Sequence, residues 1–412
     1  MTNAANNIKD VGTVIAKAAA AMLADKLQFI KSIDKEPAES FGQVNGYNVG
    51  DTINVSKPAR FTVGSTADIT SDIQDITEQK VSFALDQRAV IGVEMTSLQV
   101  QNQLALKQWL KRALEPQVSG MAQKIESDCL ALAKNKVYNH VGTAGSTVFN
   151  TTTSLAARTK LMKNLTPMDD NLKLLLDSTA MASAVDARKG LFQKSDEIAK
   201  QYKNGYMGSA DGFTYLENNL LPRHTNGTGD HTFEVRTTLA TQGATELVVE
   251  GLTATTGTIT AGTVFTIDTV YAVHPITKAS TGVLQQFVST TTVTADGSGY
   301  ATIVLSPAIY TTGSQQNVDS FPADGDAITV ATGAINTIYT SNLAYHPSAF
   351  RFVSAPLMLP SDAHMAARET VDGISMRVWQ ASDIKTDKMI LRLDCLYGFQ
   401  AIRPEWACRI TE

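Results

Sequence analysis

One periodic run of apolar residues constrains this chain more than any other feature. Between positions 97 and 137, apolar side chains recur at steps of three or four residues, at Leu106, Leu110, Leu114, Val118, Met121, Ile125, Cys129 and Leu132. This spacing predicts one stripe along an α-helix. At a rise of about 1.5 Å per residue the helix would extend roughly 60 Å, beyond an ordinary globular core. Pro116 is expected to kink the helix or divide it in two. A coiled coil is the alternative, but the e and g charges typical of one are weak.

A helix and a hairpin are expected before this run. Three- and four-residue steps from Val11 to Ile33 predict an amphipathic helix over residues 9–33, which ends at Lys35-Glu36-Pro37. Residues 46–94 then change to a period of two, which predicts an extended hairpin with little core of its own. The alternating apolar positions of this hairpin are Ile53, Val55, Val81, Phe83 and Leu85.

Mixed α/β structure is expected after the long run, over residues 139–223. The apolar run from Leu172 to Leu176 indicates a buried central strand. Asp177 and Ser178 are residues that cap a helix, and the helix they begin is expected to extend through Arg188. A strand is also expected at Phe213-Thr214-Tyr215-Leu216.

The composition changes after Pro222, and the next 120 or so residues predict a separate β-domain. This stretch is rich in Thr, Val, Ala and Gly, and glycine-bearing turns separate its short apolar segments. Regular spacing of this kind predicts a small barrel or sandwich inserted into the α/β region. The expected strands are Glu246–Val249, Val264–Ile267, Leu284–Val288, Ala301–Leu305 and Ala327–Val330.

The C-terminal region alternates strongly and predicts a hairpin. Ile374, Met376 and Val378 alternate with polar residues on one side of a turn near Asp383–Lys388. On the other side the alternating positions are Met389, Leu391, Leu393, Cys395 and Tyr397. We expect this hairpin to pack on the long helix.

The chain carries no pattern of residues that points to catalysis or to a cofactor. Its six histidines show no metal-binding spacing, and neither a GxSxG motif nor a GxxxxGK[ST] loop is present. The three cysteines lack CxxC spacing, which favours buried free thiols over disulfides. A formal charge of −5 argues against sequence-wide binding of nucleic acid. No apolar stretch approaches a membrane span, and no signal peptide is expected.

The order of these elements resembles the major capsid proteins of tailed bacteriophages, which have the Hong-Kong-97-type fold. The segment Tyr397-Gly398-Phe399-Gln400-Ala401-Ile402-Arg403-Pro404-Glu405 is similar to the ending of one branch, the podophage coat proteins typified by the Salmonella generalised transducer. Proteins of that branch carry an inserted β-barrel. The resemblance implies an α+β fold with a long spine helix, an extended hairpin loop, an axial α/β domain and an inserted all-β barrel.

The resemblance also implies a division of the chain into domains. Residues 1–45 would form the N-terminal arm and 46–94 the extended loop. Residues 95–138 and 361–397 would form the peripheral domain with the spine helix. Residues 139–223, 343–360 and 398–412 would form the axial domain, and 224–342 the inserted barrel.

Function and partners follow from the same resemblance. The chain would be a non-enzymatic major capsid protein, without cofactor or metal, that assembles with copies of itself into hexamers, pentamers and a closed icosahedral shell. It would use a separate scaffolding protein, meet a portal at one vertex and enclose double-stranded DNA without sequence-specific contacts or any membrane. Assembly would take place in the host bacterial cytoplasm, and the product would be the virion. No isopeptide cross-link and no N-terminal propeptide are expected. A surface adhesin or spike and an encapsulin-like compartment protein remain alternatives.

Two sets of residues are candidates for the functional surfaces. Contacts between subunits are expected at Arg60, Phe61, Asp68, Asp72, Arg88 and Arg112; solvated arginines, or arginines paired within one subunit, are the alternative. The core face of the spine helix is expected at Leu110, Leu114, Val118, Met121 and Ile125.

Overall fold

The structure, a computed structural model, contains five α-helices, two short 3-10 helices (Pro347–Ala349 and Pro404–Trp406) and 23 strands in the residues it describes. Those residues are 11–36, 52–57, 61, 73, 79–96, 114–145, 149–188, 207–229, 232–331, 333–361, 363, 365–383 and 388–412. The helices are α1 (Val11–Lys26), α2 (Gln28–Lys31), α3 (Glu115–Lys136), α4 (Thr151–Lys163) and α5 (Ser178–Arg188). None of the described helices has the length and apolar character needed to cross a membrane.

The strands divide between two compact units of the chain. In chain order they are β1 (Asp34–Lys35), β2 (Thr52–Lys57), β3 (Gln79–Ala84), β4 (Gln87–Thr96), β5 (His140–Val141), β6 (Lys173–Leu176), β7 (Ser209–Ala210), β8 (Phe213–Glu217), β9 (Arg223–Thr225), β10 (Thr232–Val235), β11 (Ala244–Glu250), β12 (Thr258–Ile259), β13 (Val264–Val273), β14 (Ser280–Ser289), β15 (Val293–Thr294), β16 (Ala301–Ile309), β17 (Ala327–Val330), β18 (Ile338–Tyr345), β19 (Phe350–Ala355), β20 (Met365–Val371), β21 (Ile374–Asp383), β22 (Lys388–Ala401) and β23 (Ala407–Thr411). The first unit comprises Met1–Val55, Lys80–Cys129 and Arg351–Gln400. The second comprises Ser56–Gln79, Leu130–Phe350 and Ala401–Glu412.

The first unit is built on a six-stranded sheet in the order β1-β19-β22-β21-β20, with β4 also paired to β22. The predicted C-terminal hairpin is present, because β21 and β22 pair antiparallel from Arg377 opposite Asp394 to Asp383 opposite Lys388. Alternate residues of a strand lie on the same face of the sheet, and Leu391, Leu393 and Cys395 are accordingly all buried in the core.

Two expectations for this unit need correction. Residues 87–94 do not belong to the hairpin loop: β2 and β3 form the hairpin, whereas β4 pairs with β22 along ten positions. Residues 351–360 were expected in the axial domain, but they lie in the first unit, because β19 joins its sheet.

The predicted N-terminal helix is interrupted at Leu27, which is a third departure from the sequence-based expectations. Leu27 is buried and extended, with φ −84° and ψ 93°, and it separates α1 from α2. The carboxylate of Glu126 in α3 accepts a hydrogen bond from the backbone N–H of Phe29. This tertiary contact satisfies a backbone donor that the break exposes, so the interruption overrides the helical propensity of the segment.

Helix α3 covers the C-terminal part of the predicted long run. Leu114, Val118, Met121 and Ile125 are all buried, and Tyr397 of β22 donates a hydrogen bond to Asp128 at 2.7 Å. Pro116 lies in the first turn, where its missing N–H has no intrahelical acceptor to lose. The rest of the prediction, residues 97–113 with Leu110, lies outside the described residues.

The second unit contains a seven-stranded sheet in the order β5-β23-β18-β6-β8-β7, with β9 also paired to β18. The run ending at Leu176 is the predicted central strand, since β6 is paired on both sides, antiparallel to β18 and parallel to β8. Helix α5 follows directly, as predicted. The last strand, β23, was not expected from the sequence, and it pairs antiparallel to β18 along its whole length.

A closed barrel of six strands, in the order β10-β11-β16-β14-β13-β17, is inserted between β9 and β18. All five predicted strands are present within it, and its core contains Phe233, Phe265, Ile303 and Ile328 among many other buried residues. The predicted limits, 224 and 342, are too wide. Thr225 pairs with Ile338 across the entrance, so β9 and β18 form a stem that belongs to the seven-stranded sheet.

Candidate assembly surface and barrel junction

Three arginine side chains contact one buried carboxylate in the first unit. Asp394 of β22 has no exposed surface, and its Oδ2 accepts hydrogen bonds from Arg377 Nε at 3.1 Å and from Trp379 Nε1 at 3.2 Å. Arg377 Nη2 also contacts this oxygen. Arg392 Nε donates to Oδ1 at 2.9 Å, and Arg88 Nη2 lies 3.3 Å from Oδ2. We call Arg88, Arg377, Arg392 and Asp394 the arginine cluster.

The pairing between neighbouring strands produces this cluster. Arg377 lies directly opposite Asp394, and Arg392 is two residues before Asp394 on the same side of β22. Burial alone would raise the pKa of Asp394, but hydrogen bonds from Arg377 and Arg392 outweigh this effect and leave its pKa below the ordinary value. Asp394 is therefore ionised near neutral pH, and it holds the three guanidinium groups together.

The barrel is fastened to the seven-stranded sheet by a second buried arginine. Arg409 of β23 is fully buried, and its Nη1 donates to the carbonyl oxygen of Gly262 in the barrel at 2.5 Å. Nη1 also contacts the carbonyl oxygen of Lys134 at 3.3 Å, while Nη2 donates to Ser341 Oγ at the same distance. Gly262 has φ +94°, and a Cβ there would lie 3.0 Å from Asn135 Oδ1, so the close approach requires glycine.

A glutamine from the barrel makes a second attachment, on β5. The side chain of Gln286 accepts from the backbone N–H of His140 at 2.9 Å and donates to the His140 carbonyl at 3.2 Å. Lys160 of α4 also donates to the Gln286 side chain. His140 itself bonds Thr411 Oγ1 through Nε2 at 2.8 Å. These contacts and those of Arg409 form what we call the barrel junction.

The barrel junction is rich in basic groups. His224 also lies in it, with its Nε2 3.3 Å from the Oγ1 of Thr263, next to Gly262. In the described part of the chain none of its five basic groups, on His140, His224, Lys134, Lys160 and Arg409, forms an ion pair with a carboxylate. By contrast, the buried Arg188 elsewhere in this unit is paired with Asp211. A buried cation without a counter-charge is energetically unfavourable, which makes the junction sensitive to any further positive charge.

Both histidines of the junction are held neutral. Burial, followed by the charges of Arg409 and Lys160, lowers the pKa of His140 to about 3. Burial, followed by Arg409, Lys134 and His140, lowers the pKa of His224 to about 2. Burial and Arg409 lower the pKa of Lys134 to about 8. A proton on either histidine would add a positive charge beside Arg409 and would weaken the junction.

The predicted contact residues are only partly within the described chain. Arg88 pairs with Asp394 of its own subunit, and Phe61 is 58% exposed. Arg60, Asp68, Asp72 and Arg112 lie outside the described residues. The sequence reasoning missed Asp394, Arg377, Arg392 and the whole barrel junction. Aligning the predicted C-terminal hairpin would have placed Arg377 opposite Asp394, but nothing local marks Arg409 or Gln286.

The chain is similar to proteins of one known family. The family described as "P22 coat protein - gene protein 5" matches residues 4–409. A major capsid protein of Acyrthosiphon pisum secondary endosymbiont phage 1 is 22% identical over 97% of each chain. Among solved structures, the capsid of Ralstonia phage GP4 covers 92% of this chain and 86% of its own, at 8% identity and a TM-score of 0.46. The CUS-3 coat protein I-domain covers 24% of this chain and 95% of its own, at 25% identity and a TM-score of 0.18.

Proposed function

The chain belongs to the family of P22 coat proteins, and from this premise we propose that it is the major capsid protein of a tailed bacteriophage. It associates with copies of itself to form the icosahedral shell of the virion. The observation that carries the proposal is the family match over residues 4–409, nearly the whole chain. The similarity to a phage major capsid protein along 97% of both sequences supports it.

The architecture supports the same role. We assign the Hong-Kong-97-type capsid fold to the chain, with the sheet and helix α3 of the first unit as the peripheral domain and the seven-stranded sheet as the axial domain. The barrel is then the inserted domain of the podophage branch. Long paired strands and a buried helix face give stiff elements, which suit a subunit that must transmit its orientation to many neighbours.

The action of such a protein is binding rather than chemistry. Each subunit contacts several neighbours, so many weak contacts add up to a stable shell through multivalency. We assign no enzymatic activity to the chain. Heterologous contacts close into rings of five and six subunits, and the rings close into the shell.

The finer partners belong to this proposal as well. A scaffolding protein assists assembly, a portal occupies one vertex, and double-stranded DNA fills the interior without sequence-specific contacts. A formal charge of −5 suits an enclosing surface that does not hold the genome tightly. Assembly takes place in the bacterial cytoplasm. Arg60, Phe61, Asp68, Asp72, Arg88 and Arg112 remain proposed contacts between subunits, and Leu110 a proposed member of the spine-helix core.

A phage genome with a stop codon early in this gene tests the function. We expect lysates that contain tails but no DNA-filled heads, and wild-type protein supplied in trans should restore the heads. DNA-filled heads in the mutant lysate, with adsorption to the host lost instead, would show an adhesin or spike. Normal phage from the mutant would show a compartment protein that is not part of the virion.

A further inference from the structure

The arginine cluster lies on a sheet face of the first unit that is partly exposed among the described residues, with Asp394 and Arg377 buried and Arg88 and Arg392 about one third exposed. Val90 of β4 and Arg377 of β21 flank Asp394 on either side, and Trp379 lies opposite Arg392. Residues directly opposite one another in an antiparallel sheet share a face. We call this surface the arginine face. Val90 and Ile390 on it are 48% and 44% exposed, which is high for apolar side chains in a sheet.

This face carries more positive than negative charge. Among the side chains described at its centre, three guanidinium groups surround one carboxylate, so two positive charges remain. Arg368, opposite Arg377, and Glu94, opposite Ile390, lie at its borders and cancel each other. The surplus is accessible, because the side chains of Arg88 and Arg392 are 32% and 34% exposed. Arg88 Nε is buried and has no hydrogen-bond partner among the described residues.

The composition of the face is that of a protein interface. The guanidinium carbons of Arg377 and Arg392 lie 5.8 and 5.7 Å from the centre of the Trp379 ring. Arginine, tryptophan and exposed aliphatic groups are the side chains that dominate binding energy between proteins. A surface for nucleic acid would instead be expected to carry several cations that follow a phosphate backbone.

We propose that the arginine face binds a carboxylate-bearing surface of a second copy of this chain, an inference that rests on the proposed shell-forming function. Charge complementarity favours this partner: with two positive charges here and −5 overall, the rest of each copy carries −7. An arginine fork binds a carboxylate through two parallel hydrogen bonds. Because buried Asp394 already fixes the guanidinium groups, little side-chain entropy is lost when the partner arrives.

The first test compares variants of the two exposed arginines. Arg88→Gln and Arg392→Gln each remove one surplus charge and leave the pairing of Arg377 with Asp394 in place. Arg223→Gln, an exposed arginine of β9 in the second unit, is the control with the same loss of charge. We expect the critical concentration for shell assembly in 0.1 M NaCl to rise about tenfold or more in each cluster variant. We expect no such rise in the control.

Salt dependence gives an independent readout of the same contact. Wild-type assembly should weaken between 0.1 and 0.5 M NaCl, and the cluster variants should weaken less, because the screened interaction is already lost. Unfolding of the unassembled subunit, followed by circular dichroism, shows whether the variants fold. Folded variants that assemble with the concentration and salt dependence of wild type would overturn the inference.

A cross-linking experiment that leaves all four residues of the arginine cluster unchanged covers the case in which an arginine variant does not fold. A photo-activatable residue in place of exposed Val90 should cross-link two copies in the shell, and the captured peptide should contain Asp or Glu. Cross-links to DNA or to a scaffolding protein, or cross-links within one copy alone, would overturn the inference and leave the proposed function standing. Failure of the unmodified chain to form shells even with its scaffolding protein present would instead contradict the proposed function.

Discussion

Acidification is expected to loosen the barrel junction before the carboxylates with a lowered pKa, such as Asp394, begin to titrate. In the unfolded chain His140 and His224 have ordinary pKa values near 6.5, whereas in the folded chain burial and neighbouring cations lower the pKa values to about 3 and about 2. Between these limits the unfolded state binds more protons than the folded state. The stability contributed by the neutral histidines is therefore complete above about pH 6.5 and is lost as the pH falls toward 3.

The size of the effect follows from the same shifts. Each pH unit below 6.5 costs about 1.4 kcal/mol per histidine. At pH 5 the loss is roughly 2 kcal/mol for each and about 4 kcal/mol for both, a large part of the 5–15 kcal/mol typical of a folded domain. Carboxylates with a lowered pKa, such as Asp394, contribute only below about pH 4. Burial raises the pKa of Glu412, so its contribution between pH 5 and 6.5 has the opposite sign and remains in the variant that lacks both histidines.

Urea unfolding of the subunit at several pH values between 7.5 and 5 measures this loss. Replacing both histidines, as His140→Gln with His224→Gln, should remove most of the pH dependence. His274→Asn, at a turn of the barrel, should retain it. Hydrogen exchange should locate the opening at Gly262 and Arg409, whose backbone N–H groups donate to Ser289 and Asn139. A double variant with the pH profile of wild type, or a wild type whose stability does not change over this interval, would refute the reasoning.

Three further changes test the fold. Met121→Asp places an unpaired charge on the buried face of α3 and should lower the free energy of unfolding by at least about 3 kcal/mol. The protein should then be insoluble or melt at a much lower temperature, whereas the control Gln123→Asp, at an exposed position, should not change either property. Soluble, folded Met121→Asp protein would show that this face is not core. Gly262→Ala places a side chain on a backbone with φ +94° and should destabilise the second unit by about 1–3 kcal/mol in urea unfolding. The control Gly297→Ala should have little effect, because a Cβ there meets no neighbour. Equal effects of the two substitutions would contradict the close packing at the junction. Residues 223–340 expressed alone should give a β circular dichroism spectrum and a cooperative melt, because the barrel closes on its own core, and a segment without such a melt would show that the barrel is not a domain.

Local patterns predicted the elements that repeat a simple period. The barrel strands were found because glycine turns separate alternating segments, and the β21–β22 hairpin because its core positions alternate without interruption. The central strand β6 was predicted because three consecutive leucines, Leu174–Leu176, directly before a helix fit a strand that is covered on both faces.

What could not be predicted depends on contacts between distant parts of the chain. The break at Leu27 is satisfied by Glu126, nearly a hundred residues away. Asp394 occupies a position in its strand that alternation assigns to solvent, and only the neighbouring strands show that it is buried and paired. Arg409 lies in β23, a strand too short to recognise from its own sequence, and its acceptor Gly262 lies 147 residues earlier in the chain.

Cryo-EM reconstruction gives the most direct test of the proposal that the lattice of the shell consists only of copies of this chain. The particles come from cells that produce the chain with and without a scaffolding protein. Closed icosahedral shells are expected, with every position of their pentamers and hexamers filled by density that fits this chain. Single subunits at every concentration, open fibres, or a lattice whose density fits another protein would contradict it.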